Sequence, residues 1–275
     1  MGSLSRRQFF QATGAGILAA QPPRKVPVID CHVHVGDPKL SAPNAEALSV
    51  PWTTVGIDPE EILRVNREAG IDCSVIMPIT PPGGTRFAYF EKANEYIAEV
   101  CRKYRGKFIG FAKHDVVNEK GRLRSMLLRE CRELGLRGLK MHQQPNAELL
   151  DTVAELGIPV LYHPQRVALF EEVVAAYPKV NFMMAHMGRD EEPYARYVVN
   201  HYPNAYLETA NVVTTRHIEH AVEQVPASKI IFGSDEPLVD CRQEIFKIRV
   251  LKLPKDKEEL ILGGNLLRLL GGQLG

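Results

Sequence analysis

Residues 28–36 read VIDCHVHVG, and the spacing of Asp30, His32 and His34 within them could do chemistry. Val28, Ile29, Val33 and Val35 give the stretch the β-branched content of a strand. Side chains two apart on a strand share a face, so strict alternation points Asp30, His32 and His34 to one side. Two imidazoles one strand step apart can reach the same cation, and neutral imidazole is a common metal ligand. Such a pair also occurs as ordinary core or surface histidines, so a metal reading needs further ligands elsewhere in the chain.

Other ionisable residues recur where apolar runs end. LRGLKMHQQ (136–144) carries Lys140 and His142, IPVLYHP (158–164) carries His163, and KVNFMMAHMG (179–188) carries His186. Glu208 lies late in NAYLETAN (204–211), and Asp235 lies in KIIFGSDEP (229–237). Each alone has an ordinary explanation. Asp235 could cap the next helix, and Lys140 could pair with Glu208 or Asp30. Gathered at one place, however, they would carry buried charge that is costly unless a cation satisfies it. Arg86, Arg166 and Arg189 follow strand ends, where a guanidinium can clamp a carboxylate or simply face solvent.

The elements that must position these residues alternate regularly. Asp58-Pro59-Glu60-Glu61 is a helix start, with an N-cap, proline at the first position and acids in the first turn. Short apolar strands are expected at 73–80, 107–115, 136–144, 158–164, 179–188, 204–211 and 229–237, each followed by a helical pattern. With 28–36 this makes eight βα units in one domain, 25–275, which predicts an α/β fold: a single (β/α)8 TIM barrel. Chemistry in such a barrel sits at the C-terminal strand ends, so the metal site is expected there. A doubly wound open sheet is the rival, but no Gly-rich phosphate loop follows any strand. The polar stretch 37–57, with the lone Trp52, and the turn 81–88 are expected as functional loops that set specificity.

Composition excludes some partners. Lys and Arg number 34 against 33 for Asp and Glu, a net charge of +1 that gives no case for nucleic acid. The 5 cysteines form no CxxC pair and read as buried thiols. Residues 4–20, LSRRQFFQATGAGILAA, resemble a bacterial twin-arginine export signal, so 1–24 are set aside from the fold. A periplasmic or exported protein is expected, with an unprocessed tail on a cytoplasmic protein as the alternative. The apolar run is too short for stable membrane insertion.

Taken in order, D-x-H-x-H, a lysine on the fourth strand, single histidines on the fifth and sixth and an aspartate on the eighth resemble the amidohydrolase superfamily. More narrowly, the chain resembles the amidohydrolase-related branch that includes aminocarboxymuconate-semialdehyde decarboxylase-like proteins and several lactonases. The likeness spans 26–272 and includes KANEYIAEVCRKYRGKFIGFA (92–112), GLRGLKMH (135–142), FGSDEP (232–237) and LILGGNLLRLLG (260–271). TatD-type nucleases share the first motif and the barrel but not the closing GGN helix. The resemblance implies one divalent metal ion, most often zinc, held by His32, His34, His163 and Asp235. It implies that His186 lies beside the metal's water and that Asp235 moves that water's proton. Nitrogen and oxygen donors with an open position suit a catalytic zinc, which lowers the pKa of its water to about 7.

In binuclear members of that superfamily a fourth-strand lysine is carbamylated and bridges two metals. Here the neighbouring His142 and the branch that the chain resembles imply one metal, with Lys140 as an ammonium facing substrate. His142, Arg166 and Glu208 are further substrate-binding candidates. The implied activity is metal-dependent hydrolysis of an amide, lactone or other cyclic ester carbonyl of a small molecule. Non-oxidative decarboxylation is the alternative, and metal binding without turnover the third. The expected partners are a small-molecule substrate and, in a homo-oligomer, further copies of the chain. Replacing Arg6 and Arg7 by lysine is expected to hold the protein in the cytoplasm on fractionation; an unchanged distribution removes the export reading.

Overall fold

The computed structural model describes residues 26–37, 58–79 and 89–274. The expectations for 1–24, for the loop beyond Asp37 with Trp52 and for the turn with Arg86 lie outside them. The strands are β1 (Ile29–Val35), β2 (Cys73–Pro78), β3 (Phe108–Gly110), β4 (Ala112–Lys113) and β5 (Leu139–Met141). They continue with β6 (Val160–Tyr162), β7 (Phe182–Met184), β8 (Ala205–Glu208) and β9 (Ile230–Ile231). All pair in parallel, in two ladders, β1-β2-β3 and β4 through β9 in sequence order.

One expected strand is thus in two pieces. At Phe111 the chain changes neighbour: its N–H donates to Ile76 O at 2.9 Å, while Ala112 N donates to Gly138 O at 2.9 Å. The Phe111 ring packs directly over Gly138, where a Cβ would lie only 2.3 Å from it. The second junction closes the barrel. Cys31 N donates to Phe232 O (3.1 Å), Asp235 N to His32 O (2.7 Å) and His34 N to Glu236 O (2.7 Å). Eight strands therefore close into a (β/α)8 barrel.

The helices are α1 (Pro59–Ala69), α2 (Tyr89–Lys103), α3 (Leu123–Arg132), α4 (Ala147–Leu156) and α5 (Val167–Ala176). Then come α6 (Glu192–His201), α7 (Thr215–Gln224), α8 (Cys241–Arg249), α9 (Lys255–Glu259) and α10 (Asn265–Leu269). α1 starts as its sequence demands: the Asp58 side chain accepts from Glu60 N, and Gly70 ends the helix at φ 73°. The closing GGN has a packing reason. Asn265 Nδ2 donates to Ala227 O (2.7 Å) and Ile230 O (2.8 Å), pinning the last helix beneath β9. A Cβ on Gly263 would meet Pro27 O at 1.9 Å. Among the described residues no helix is long and apolar enough to cross a membrane.

Strand alternation divides the core. Val33, Val35, Ile76, Leu139, Val160, Phe182, Leu207 and Ile230 pack outward against the helices. Ile29, Cys31, Val75, Phe111, Leu161, Met183, Tyr206 and Ile231 fill the interior. One sequence expectation fails here. The pairing of β1 with β2 shifts register between Asp30 and Val33, a β-bulge. Cys31 faces inward and Val33 outward, so the extra residue turns His32 and His34 inward and leaves Asp30 on the opposite face. Asp30 Oδ1 instead accepts from His32 N (3.1 Å) and Ser234 N (2.9 Å), tying the two sides of the closure together.

His114, just after β4, is fully enclosed by acids. Its Nδ1 lies 2.9 Å from Glu119 Oε2 and its Nε2 2.8 Å from Glu130 Oε2. Burial alone would lower its pKa, but Glu130 and Glu119 outweigh this and raise it to about 10. A raised folded pKa stabilises fully below the unfolded value, about 6.5, and that contribution is lost as pH climbs toward 10. Wild-type unfolding free energy is therefore expected to fall between pH 7 and 10 more steeply than that of His114→Gln, by about 1.4 kcal/mol per pH unit. Parallel slopes in denaturant titrations would show that His114 is not charged.

Candidate metal centre

The inward parity of several strands ends in a polar residue at the barrel mouth, whereas β2 and β7 stay apolar through Met77 and Ala185. β1 delivers His32 and His34, β5 leads through Lys140 to His142, β6 leads to His163, and β8 ends in Glu208. The closing hydrogen bonds between β1 and the segment after β9 bring Asp235 beside the two histidines. Asp235 sits at φ 70°, a left-handed conformation that Asp tolerates better than most residues. Its Oδ1 lies 3.3 Å from His32 Nε2 and 3.2 Å from His34 Nε2, and its Oδ2 accepts from Asn211 Nδ2 at 3.1 Å.

The hydrogen bonds behind these groups fix their chemistry. His32 Nδ1 donates to Glu208 Oε2 at 3.2 Å, which leaves the lone pair on Nε2. That Nε2 accepts from Lys140 Nζ at 2.9 Å. Burial and then the Lys140 charge hold the His32 pKa well below its ordinary value, and burial lowers that of His34. For Asp235, burial alone would raise the pKa, but the His34 hydrogen bond and charge hold it at about 2. A carboxylate thus faces the bare lone pair of His32 Nε2, with the Lys140 ammonium beside it, in a place nearly closed to water. Lys140 meets part of that negative charge, and a bound cation would satisfy the His32 and Asp235 acceptors together. Ligand atoms of His32, His34 and Asp235 lie within 4.8 Å of one another, and two nitrogens with an oxygen suit a divalent metal ion.

Glu208 supports the group from below. Fully buried, it accepts from His32 Nδ1, from His186 N at 3.1 Å and from Ala210 N at 2.5 Å. Burial raises its pKa to about 8, whereas the donors around it favour the ionised form. Room for it depends on Gly233, where a Cβ would lie 2.2 Å from Glu208 Oε1 and 3.0 Å from His32 Cβ. His186 opens a run of left-handed residues: φ is 58° at His186, 53° at Met187, 77° at Gly188 and 49° at Arg189. Each non-glycine residue in that region costs about 1–3 kcal/mol, so the turn needs anchors. Glu208 holds the His186 N–H, and His186 Nδ1 donates to Ala210 O at 2.8 Å, leaving its Nε2 lone pair inward. Burial lowers the His186 pKa to about 4.

The rings form a continuous arc. Centroids are 5.1 Å apart for His34 and His32, 5.3 Å for His32 and His186, 4.6 Å for His186 and His163, and 5.0 Å for His163 and His142. Burial lowers the pKa of His163 to about 2 and that of His142 further. His163, expected as a ligand, reaches the arc through His186 and is not part of the tight His32–His34–Asp235 group. Glu208, a candidate for binding substrate, instead points at His32 and the backbone of His186. Arg166 stands exposed beside Glu191 (Nε to Oε1, 3.3 Å) and lines a side cleft of about 200 Å³ next to His163, together with Arg189. The expected alternative of a Lys140–Asp30 pair does not form, since the two lie on opposite faces.

Sequence reasoning missed Lys113, which lies at the end of β4, is buried and points inward. Its signal was present. In FIGFAKHD the inward Phe111 is followed two residues later by Lys113, the same step that found Lys140.

Barrel and mouth together define a (β/α)8 enzyme with a metal-binding group at its C-terminal rim. The sequence matches the amidohydrolase family over residues 29–272, and the chain belongs to that family. No curated protein matches it. Among solved structures, 5-carboxyvanillate decarboxylase from Sphingomonas paucimobilis is similar at TM-score 0.73 and 14% identity, over 90% of this chain and 99% of that one. A dihydroxybenzoic acid decarboxylase from a Polaromonas species, with bound manganese and 2-nitroresorcinol, gives TM-score 0.73 at 16% identity, over 89% and 97%. A probable 2-pyrone-4,6-dicarboxylic acid hydrolase from Acinetobacter baumannii gives TM-score 0.67 at 16% identity, over 89% and 99%. At these identities the likeness is one of fold.

Glu208→Gln is expected to weaken metal affinity about 10–100-fold, the usual effect of removing a carboxylate behind a ligating histidine. Gly233→Ala, which pushes into Glu208, is expected to act in the same direction. Chelator competition reads the affinity and circular dichroism verifies the barrel; unchanged affinity in both variants would remove Glu208 from the site.

Proposed function

We propose that this enzyme is a metal-dependent hydrolase of an amide, lactone or other cyclic ester carbonyl in a small molecule. His32, His34 and Asp235 would hold the ion, with His163 completing the set and zinc the favoured metal. The observation that carries the reading is Asp235, an ionised carboxylate held between two neutral imidazoles and oriented by Asn211. When bound, a divalent ion there polarises a carbonyl oxygen and acidifies water, whose pKa falls to about 7.

The chain's own groups then divide the proton transfers. Asp235 accepts the proton that water loses as its oxygen bonds to the carbonyl carbon, and returns it to the departing nitrogen or oxygen. The His186 Nε2 lone pair, directed inward by the bond from Nδ1 to Ala210 O, accepts a hydrogen bond from the attacking water. Lys140, whose pKa burial lowers to about 8, places a donor beside His32 where oxygen charge develops.

Decarboxylation is the second reading, and the buried lysines at the mouth favour it by suiting an acidic substrate. The decarboxylases of similar fold lend it further support. There Asp235 would relay a proton taken from water to carbon as the bond to the carboxylate breaks and CO2 leaves.

Elemental analysis is expected to find about one metal ion per chain, with His32→Ala losing it. Asp235→Asn is expected to lower kcat about 10²–10⁴-fold, the range for a general acid–base group. Lactone and amide panels should be assayed beside aromatic and muconate-type acids. Ring or amide opening without CO2 supports hydrolysis; CO2 release alone overturns it in favour of decarboxylation.

A further inference from the structure

We propose that Asn211 is a positioning residue for Asp235, and that the Glu244–Lys247 ion pair on α8 holds Asn211 in place. This rests on the reading of Asp235 as a metal ligand and adds the residues that fix its carboxylate.

The segment after β8 carries the argument. Asn211 Nδ2 donates to Asp235 Oδ2 at 3.1 Å, while Oδ1 is the oxygen turned toward His32 Nε2 and His34 Nε2. Asn211 is exposed at the rim, where an unbraced side chain would exchange Asp235 for water. Its backbone is braced from the helix layer. The Asn211 N–H donates to Glu244 Oε2 at 3.2 Å, and Lys247 Nζ donates to Glu244 Oε1 and to Val212 O, each at 2.6 Å. One residue earlier, Ala210 gives its N–H to Glu208 and takes His186 Nδ1 on its carbonyl. Residues 208–212 are thus gripped from the barrel interior by Glu208 and His186 and from α8 by the ion pair, with Asn211 at the join.

Helix α8 gives up a core position for this contact. Its buried stripe is Cys241, Glu244, Ile245 and Ile248, and Glu244 is only 2% exposed. A buried ion pair adds little stability over apolar residues of similar size, so its retention points to the atoms it orients. A carboxylate suits those atoms, with one oxygen for the Asn211 N–H and one for Lys247. The residue type at 211 carries the same message. Its φ of 54° is open to glycine at lower cost, but only asparagine also brings a donor to Asp235. The contacts close on themselves, because the Cys241 N–H at the start of α8 donates to Glu236 Oε2 at 2.7 Å, and Glu236 follows Asp235 in the chain. Asp235, Glu236, α8 and Asn211 therefore form a ring of contacts that holds the carboxylate against rotation. Such support behind a ligating group marks a preorganised site.

The test uses the full chain loaded with Co²⁺, whose visible absorption reports the number and kind of its ligands. Chelator competition reads the affinity, and the melting temperature of the metal-free protein monitors folding. Asn211→Gly removes the amide and suits the left-handed backbone, so the metal-free protein is expected to fold as wild type does. Its Co²⁺ affinity is expected to fall about 10–100-fold, with an altered visible spectrum. Glu244→Met combined with Lys247→Met removes both buried charges together, which leaves none unpaired and retains the fold. This pair is expected to lose affinity without losing melting temperature. Adding Asn211→Gly to it is expected to cost no more than Asn211→Gly alone, because the ion pair acts through Asn211. Wild-type affinity and spectrum in Asn211→Gly, or in the methionine pair, overturn the proposal. So do losses that simply add. Asp235→Ala separates this brace from the reading beneath it. Co²⁺ lost there but held normally by Asn211→Gly sinks the brace alone; Co²⁺ held normally by Asp235→Ala sinks Asp235 as a ligand and the brace with it.

Discussion

The carboxylate of Glu208 is the contact on which the site's geometry depends. It holds the proton of His32 on Nδ1 and so turns the Nε2 lone pair toward Asp235. With its remaining capacity it takes the His186 and Ala210 N–H groups, which anchors the left-handed turn carrying His186. A single buried acid therefore orients two imidazoles from two different strands. The cost of burying it is offset by three donors, and the space for it comes from a missing side chain at Gly233.

The barrel surrounds that contact with a division by height. Below it, the inward positions are Ile29, Val75, Phe111, Leu161, Met183 and Ile231. Above it, the same inward positions become His34, Lys113, His142, His163 and Asp235. Alternation continues up each strand while the chemistry of the side chains changes, so strands that are apolar in their lower turns end in ionisable groups. The outward face is mostly apolar because helices cover it, with Asp30 and Ser74 as hydrogen-bonded exceptions.

Much of this was legible in the sequence. Short apolar runs alternating with helical patterns gave the eight units, and Asp58-Pro59 and Gly70 marked their helix ends by capping chemistry. The clustering of His32, His34, His186 and Asp235 followed from placing strand ends together. What sequence reasoning lost came from local departures from ideal strands. The bulge in β1 reversed the face of Asp30, because period-two reasoning assumes unbroken register. The break at Phe111 split one strand in two, because the backbone changes hydrogen-bond neighbour between Phe111 and Ala112, which periodicity does not register. Lys113 has no sequence signal beyond its alternation with Phe111, and the neighbouring His114 is an internal brace. The role of Glu208 was invisible, because only three-dimensional proximity to Gly233 and His32 reveals it.

The meeting of the first and last strands has a consequence for the timing of biosynthesis. His32 and His34 are among the first residues of the barrel to leave the ribosome, and Asp235 leaves some two hundred residues later. No nascent chain shorter than that holds the three-residue group, because the hydrogen bonds from His34 to Glu236 and from Asp235 to His32 need both ends. The ion-binding group is thus a property of the finished polypeptide, and translation itself sets the earliest moment at which it can exist.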